Sequence, residues 1–305
     1  MRIVITGGSG LIGSAVAREM GGAGHEVVVL SRDPSKVKGL PPNTRAVQWD
    51  GKTGASWSSL LDGLDGDTAI VHLAGEGIAE GRWTESRKRR IRDSRVESGR
   101  AVLEAIRQAK TKPKTLLQGS AVGFYGPCGN EVVTEGHAPG TDFLADVCVD
   151  WEASTAGAEA LGVRRAILRT GIVLSRDGGA LPKMSLPFKL GVGGSLGGGR
   201  QWIPWIHLAD EVGAIRFLLE RDDARGPFNL TAPQPLTNRD FSRALGKALH
   251  RPSLAPAPGF ALRLVLGEMA DMLLNGQRAV PQRLLEMGYV FRFPEALQAL
   301  RNLFD

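Results

Sequence analysis

Two cysteines and two tyrosines in 305 residues are the sharpest shortages in this chain. Cys128 and Cys148 cannot supply a disulfide framework, and so sparse a use of cysteine suits a reducing compartment. The five histidines nowhere join cysteine or acidic residues at metal-ligand spacing, so no metal site is expected. No Gly-x-Ser-x-Gly elbow occurs, which excludes a hydrolase built on that turn. Long apolar runs are missing too. The most apolar late stretch, residues 260–274, carries Arg263, Glu268 and Asp271 and is too short and too charged to span a bilayer. A strand pattern begins within three residues of Met1 and leaves no room for a secretory leader. A cytoplasmic protein without membrane attachment is expected.

What is present in excess is glycine, 40 residues, and positive charge, net +6. No RNP-type segment, zinc-finger spacing or basic arm accompanies that charge. Nucleic acid is therefore not the expected partner, although the run from Arg87 to Arg100 keeps it as a minor alternative. The phosphates of an anionic cofactor and substrate account for the charge more simply.

Strand and helix patterns alternate along the first two thirds of the chain. Strands are predicted at residues 1–6, 27–30, 45–49, 68–73, 115–119 and 165–169, and helices at 14–23, 86–109 and 150–161. That alternation predicts an α/β fold with a Rossmann-type, doubly wound parallel sheet. After Gly171 the texture changes. Residues 191–199 hold six glycines, residues 252–258 hold three prolines, and the last 47 residues have a helical pattern. The expected division is a cofactor-binding domain over 1–250 and a small, mostly helical, substrate-side unit over 251–305.

The clearest motif is Gly7-x-x-Gly10-x-x-Gly13, which follows the first strand and opens the first helix. The first glycine permits the tight turn. The middle one lets backbone approach a pyrophosphate, and the third lets helix and strand pack closely. The pyrophosphate is then expected on the helix N-terminus. Leu11 and Ile12 lie in the same turn. The second strand ends in Leu30-Ser31-Arg32-Asp33. NAD-specific folds place an acidic residue there for the ribose hydroxyls. Ser31 and Arg32 suit a 2′-phosphate instead, which favours NADP(H), while Asp33 leaves the ribose alternative open.

These motifs resemble the short-chain dehydrogenase/reductase superfamily of the extended type. The resemblance extends to His72-Leu73-Ala74-Gly75-Glu76, Ser94-Arg95-Val96, the run from Gly119 to Gly126 and the run from Leu168 to Leu174. It narrows to an atypical epimerase-family branch, nucleoside-diphosphate-sugar epimerase-like, on two later blocks. These are Pro204-Trp205-Ile206-His207 and Leu274-x-Gly276-Gln277-Arg278-x-x-Pro281-Gln282-Arg283. The resemblance implies that Leu73, Ala74 and Gly75 lie along the adenosine side of the cofactor. It also implies that Arg95 replaces a common Asn, with Arg90 on the same helix, and that Val173 lies near the nicotinamide. Each has a plainer alternative: Leu73 and Ala74 as the end of a core strand, Arg90 and Arg95 as a solvated helix face. Superfamily habit implies a homodimer.

The resemblance also exposes a gap. Ordinary members use Tyr-x-x-x-Lys on one helix, the lysine lowering the tyrosine pKa. Here Gly129 and Phe293 stand four residues after Tyr125 and Tyr289. Alignment starts the helix that should carry the pair near Phe143 and places Leu144 and Cys148, or one turn on Cys148 and Glu152, at the two positions. Ser120 matches the superfamily serine that bonds the reacting oxygen. Ser120, Tyr125 and Cys148 are therefore the candidate catalytic residues, with a strand-end turn serine as the alternative for Ser120 and inert packing as the alternative for the tyrosine and the thiol. His207 is a proton-carrier candidate more simply explained as structural. Two function classes follow: an NADP-dependent oxidoreductase or epimerase acting on a small, phosphorylated or nucleotide-linked substrate, or a non-catalytic NADP(H)-binding sensor.

Overall fold

Apolar residues continue unbroken through Ile3-Val4-Ile5 and Val27-Val28-Val29-Leu30, the pattern of strands covered on both faces. The computed structural model, which describes residues 1–62 and 67–305, bears this out. Seven strands form one sheet: β1 (Arg2–Thr6), β2 (Glu26–Ser31), β3 (Thr44–Gln48), β4 (Thr68–His72), β5 (Thr115–Ala121), β6 (Arg164–Thr170) and β7 (Gly226–Leu230). Their order is β7-β6-β5-β4-β1-β2-β3, and every pairing is parallel.

Alternate residues of each strand enter opposite apolar layers. Ile3, Ile5, Val27, Val29 and Val71 pack toward the helices α1 (Leu11–Gly22) and α5 (Leu208–Glu220). Val4, Val28, Leu30 and Ile70 pack toward α2 (Glu85–Gln108), Trp49 and Trp57. The chain order reverses between β1 and β4, so a crevice opens there at the carboxyl ends of the strands, the usual ligand position in such sheets.

Two details differ from the sequence expectation. The helix placed at 150–161 is α3, Phe143–Ser154, started by Asp142, whose Oδ1 accepts from the Ala145 N–H at 2.8 Å. Residues Ala156–Leu161 form a tighter 3₁₀ turn. The strand β7 was not expected at all, because Gly226-Pro227 opens it and the polar Asn229 interrupts its apolar run.

Much of the rest of the chain builds a second layer beyond the carboxyl edge. It includes α4 (Leu181–Lys189), α6 (Asn238–Ala248), α7 (Gly259–Leu266), α8 (Ala270–Leu274) and α10 (Ala296–Phe304), whereas α9 (Gln282–Glu286) packs on the main sheet through Leu284. Phe188, Trp205, Phe241 and Leu300 form the core of the second layer. The glycine-rich and proline-rich segments run side by side: the Leu254 and Ala255 N–H groups donate to the Gly193 carbonyl, and Gly197 N–H to Ala257. Among the described residues no helix is long and apolar enough to cross a membrane.

Candidate functional site

The turn between β1 and α1 is shaped by what cannot fit. Gly7 has φ +70°, and a Cβ there would lie 2.7 Å from the Leu73 carbonyl oxygen. A Cβ on Gly13 would lie 2.4 Å from the Gly7 carbonyl oxygen. The N-cap of α1 is Gly10, which offers no side chain to the first-turn N–H groups, so those donors stay open to an anion. A cleft of about 720 Å³ opens beside them, lined among others by Ser9, Leu11, Ser14, Arg18 and Gly179. Leu11 reaches across it: its Cδ2 is 3.1 Å from where a Gly179 Cβ would stand, and the Val173 carbonyl is 3.5 Å from the same point. Ile12 is half-buried against the α1–α5 layer. The turn fits a dinucleotide pyrophosphate. Arg18, Asp177 and Gly178, which also line the cleft, carried no sequence motif.

At the end of β2 the Ser31 hydroxyl bonds the Asp33 carbonyl. The Asp33 carboxylate is already committed: it accepts from the Ser35 N–H at 3.2 Å and hydroxyl at 2.6 Å, and pairs with Lys36 at 3.1 Å. Exposed Arg32 makes no ion pair or hydrogen bond among the described residues. This corner therefore offers a guanidinium, and its one carboxylate is occupied elsewhere.

The loop after β4 is fastened to both neighbours. His72 is wholly buried and burial pushes its pKa down to about 3, so the ring is neutral. Trp151 donates to its Nε2 at 3.4 Å, which leaves Nδ1–H to donate to Thr6 Oγ1 at 2.7 Å. The same Thr6 oxygen accepts from the Ala74 N–H at 3.3 Å, while Leu73 N–H donates to the Thr6 carbonyl. Leu73, Ala74 and the exposed Gly75 thus border the glycine turn. Glu76 is clamped to α2 by Arg87, with Arg90 at 3.6 Å; its backbone N–H donates to Ser94 Oγ at 3.0 Å, and its carbonyl accepts from Arg95 at 3.0 Å. Arg95 also lies 5.1 Å from the Trp151 ring and is largely buried, whereas Arg90 is mostly exposed.

Ser120, near the carboxyl end of β5, donates to Glu152 Oε1 at 2.6 Å. Glu152 forms a two-point ion pair with Arg169, at 2.9 and 3.0 Å. Arg169 also donates to the Tyr125 hydroxyl at 3.1 Å, and that hydroxyl donates to Asn229 Oδ1 at 2.7 Å. Burial pushes Tyr125 up to about 12, against the pull of Arg169. Cys148 lies one turn before Glu152; burial pushes its thiol up to about 11, Glu152 adds to this, and Ala121, Arg95 and Ser120 oppose it. The structure therefore brings Ser120, Cys148 and Glu152 together, the one-turn-shifted alignment. The Tyr125 hydroxyl stands behind Arg169. Sequence reasoning assigned no role to Arg169; its signal was a cation directly after the apolar run Ala166-Ile167-Leu168 of a sheet strand.

His207 is a helix cap. Its Nδ1 accepts from the Ala209 N–H at 3.0 Å, its ring packs 4.1 Å from Phe293, and burial lowers its pKa to about 4. Glu211, one turn on, is wholly buried; it accepts from Thr170 at 2.8 Å, and its other oxygen has no partner. Burial pushes it up to about 8 from an ordinary 4.5. Between those values folding must take up a proton, so its contribution to stability falls as pH rises and levels off above the folded value. Glu211→Gln should therefore gain stability relative to wild type from about pH 5 to about pH 8. Urea unfolding at both pH values checks this, and a constant difference would show that Glu211 ionises normally.

Comparison with known proteins is consistent along the whole chain. A model of the NAD dependent epimerase/dehydratase family matches residues 3–231, and one for a domain of unknown function (DUF1731) matches 257–303. Epimerase family protein Mb2239 of Mycobacterium bovis is 40% identical over 98% of this chain and 96% of its own. Epimerase family protein YfhF of Bacillus subtilis is 38% identical over 99% and 98%. A crystal structure of human epimerase family protein SDR39U1, solved with NADPH, superposes with a TM-score of 0.88 at 34% identity, covering 99% of each chain. The seven parallel strands, the glycine turn and the helical end accord with these relatives, and the chain belongs to the NAD dependent epimerase/dehydratase family.

Proposed function

We propose that this chain is an NADP(H)-dependent oxidoreductase of epimerase type whose proton chemistry runs through Ser120 and Glu152 instead of a tyrosine–lysine pair. Residues 1–250 hold the cofactor and 251–305 cover the substrate side. The uncommitted Arg32 guanidinium beside an occupied Asp33 supports the 2′-phosphate preference, and human SDR39U1, a relative of this chain, was solved with NADPH. NADP(H) in the crevice would supply the hydride chemistry.

The observation that carries the catalytic part is the 2.6 Å bond from Ser120 to Glu152. A serine whose proton is given to a carboxylate presents lone pairs to its other neighbour. Ser120 Oγ therefore accepts from a substrate hydroxyl. As that hydroxyl is oxidised, its proton passes to Ser120 Oγ while the serine proton passes to Glu152 Oε1; reduction reverses both transfers. Arg169 holds Glu152 in place, and Tyr125 holds Arg169. Cys148, kept as a thiol, packs beside Ser120 and shields it from water.

Fluorescence titration should give NADPH a Kd about tenfold or more below that of NADH, and Arg32→Ala should erase the difference. Ser120→Ala should bind NADPH as wild type does and lose turnover of any hydroxyl or carbonyl compound the wild type consumes from a metabolite panel. Unchanged turnover would remove Ser120 from the chemistry. A second reading is a non-catalytic NADP(H) sensor. Ser120 and Cys148 favour it by being only 5% and 4% exposed, and consumption of no compound at all by the wild type would select it.

A further inference from the structure

The segment around Arg278 is fixed at three successive residues. Gly276 has no room for a side chain, since a Cβ there would lie 2.0 Å from the Trp202 carbonyl oxygen. The C-terminal segment therefore runs directly over the Trp202 backbone. Gln277 Nε2 donates to the Gly126 carbonyl at 2.8 Å and ties the segment to the turn that carries Tyr125. Arg278 and Ala279 then pair in parallel with Val132 and Val133. Ala279 turns inward, into the cluster that holds Tyr125 and Cys148. Alternation along a strand sends Arg278 to the other face. There its guanidinium lies 4.5 Å from the centre of the Trp202 ring, and the indole N–H is itself anchored on Asn130 at 3.1 Å.

What sets Arg278 apart is what it does not touch. Arg87, Arg95, Arg164, Arg165, Arg169 and Arg283 each donate to a carboxylate or a carbonyl. Arg278 makes no hydrogen bond or ion pair among the described residues; its Nε–H is buried without a partner, as are those of Arg87 and Arg164, but those two place their other guanidinium N–H groups on protein oxygens and Arg278 does not. A buried donor left unpaired is costly, and a built site that retains one calls for a ligand to complete it. Its place over the Trp202 ring restricts the guanidinium before anything binds. A guanidinium is a rigid fork of parallel N–H donors, matched to two oxygens of one anion. The fork also stands on the right side of the molecule. Gly126 follows the carboxyl end of β5, and Trp202 precedes Pro204, whose carbonyl accepts from Ile172 just after β6. This is the edge on which Ser120 and the glycine turn open.

We propose that Arg278, held over Trp202, is the anion-binding subsite for the substrate, so that the molecule acted on carries a carboxylate or phosphate group. The proposal rests on the reading of Ser120 as catalytic. It explains why glycine, glutamine and arginine stand together in the C-terminal segment: the first permits the approach, the second aligns it and the third binds.

The test uses the full chain saturated with NADPH and labelled with ¹⁵N-arginine. The Arg278 Nε–H resonance is assigned by its loss in Arg278→Gln. Inorganic phosphate and acetate are titrated in turn at constant ionic strength, with chloride as the control. The expected result is a saturable shift with at least one of them. Phosphate alone would identify a phosphoryl group, and acetate alone a carboxylate. Arg278→Lys keeps the charge and loses the fork, so its affinity for the same anion by calorimetry should fall about tenfold or more. A shift that chloride reproduces, or equal affinity in Arg278→Gln, would overturn the proposal. Because Arg278 satisfies no protein partner, Arg278→Gln should fold and bind NADPH as wild type does; loss of NADPH binding in both variants would show a structural role and overturn it too. Anion binding at Arg278 with unchanged turnover in Ser120→Ala would remove the catalytic reading of Ser120 instead.

Discussion

Arg169→Met should lower the unfolding free energy by about 3–5 kcal/mol, the range for removing one partner of a buried ion pair. The side chains of Arg169 and Glu152 are 6% and 11% exposed, so water cannot take over the lost contacts. Glu152 would keep only the Ser120 proton. Tyr125 would lose a donor, the Glu135 carbonyl would lose its guanidinium partner, and the Phe124 ring would lose a cation 3.5 Å from its centre. The double variant Glu152→Met/Arg169→Met should recover part of the loss, because it leaves no unpaired charge behind. Urea unfolding followed by circular dichroism measures both. A single-variant loss below about 1 kcal/mol would mean that the site relaxes around the remaining charge.

Gly13→Ala should cut NADPH affinity by about a hundredfold, equivalent to ~2.7 kcal/mol. The added methyl would meet the Gly7 carbonyl oxygen at 2.4 Å and the Gly8 Cα at 2.7 Å. Both are backbone atoms and neither can rotate aside. Either α1 moves away from β1 or the turn opens, and both displace the N–H groups that face the cleft. Gly22→Ala is the internal control, in the last turn of the same helix. Nothing lies within 4 Å of a Cβ there, so it should leave NADPH binding unchanged and add up to about 1 kcal/mol of stability. Equal affinity in the two variants would contradict the role given to the turn.

The Rossmann half was legible because its signals are local. Gly7, Gly10 and Gly13 sit between two apolar runs within about 30 residues, and no distant partner is needed to interpret them. The strand β7 was hidden for the opposite reason. Asn229 makes a poor strand residue until Tyr125 and the Val280 carbonyl satisfy its side chain, and those partners lie 104 and 51 residues away. The Ser120 site falls between these cases. Its serine and the one-turn-shifted Cys148 and Glu152 could be placed by alignment. That Glu152 pairs with Arg169 depends on how α3 lies across β6, which no spacing in the chain encodes. For α3 itself the start signal was present in Asp142, but the apolar pattern continuing through Ala156–Leu161 drew the expected helix too far along.

The bond from Gln277 to the Gly126 carbonyl joins residues 151 positions apart. During synthesis the turn after β5 leaves the ribosome long before the segment that fastens it. At roughly 5–20 residues per second the gap is about 8–30 s. For that interval the short strand Val132–Val133 has an open edge, and Tyr125 and Cys148 lack the cover of Ala279. The nascent chain thus carries the glycine turn beside an incomplete candidate site, and the segment around Gln277 decides when that site closes.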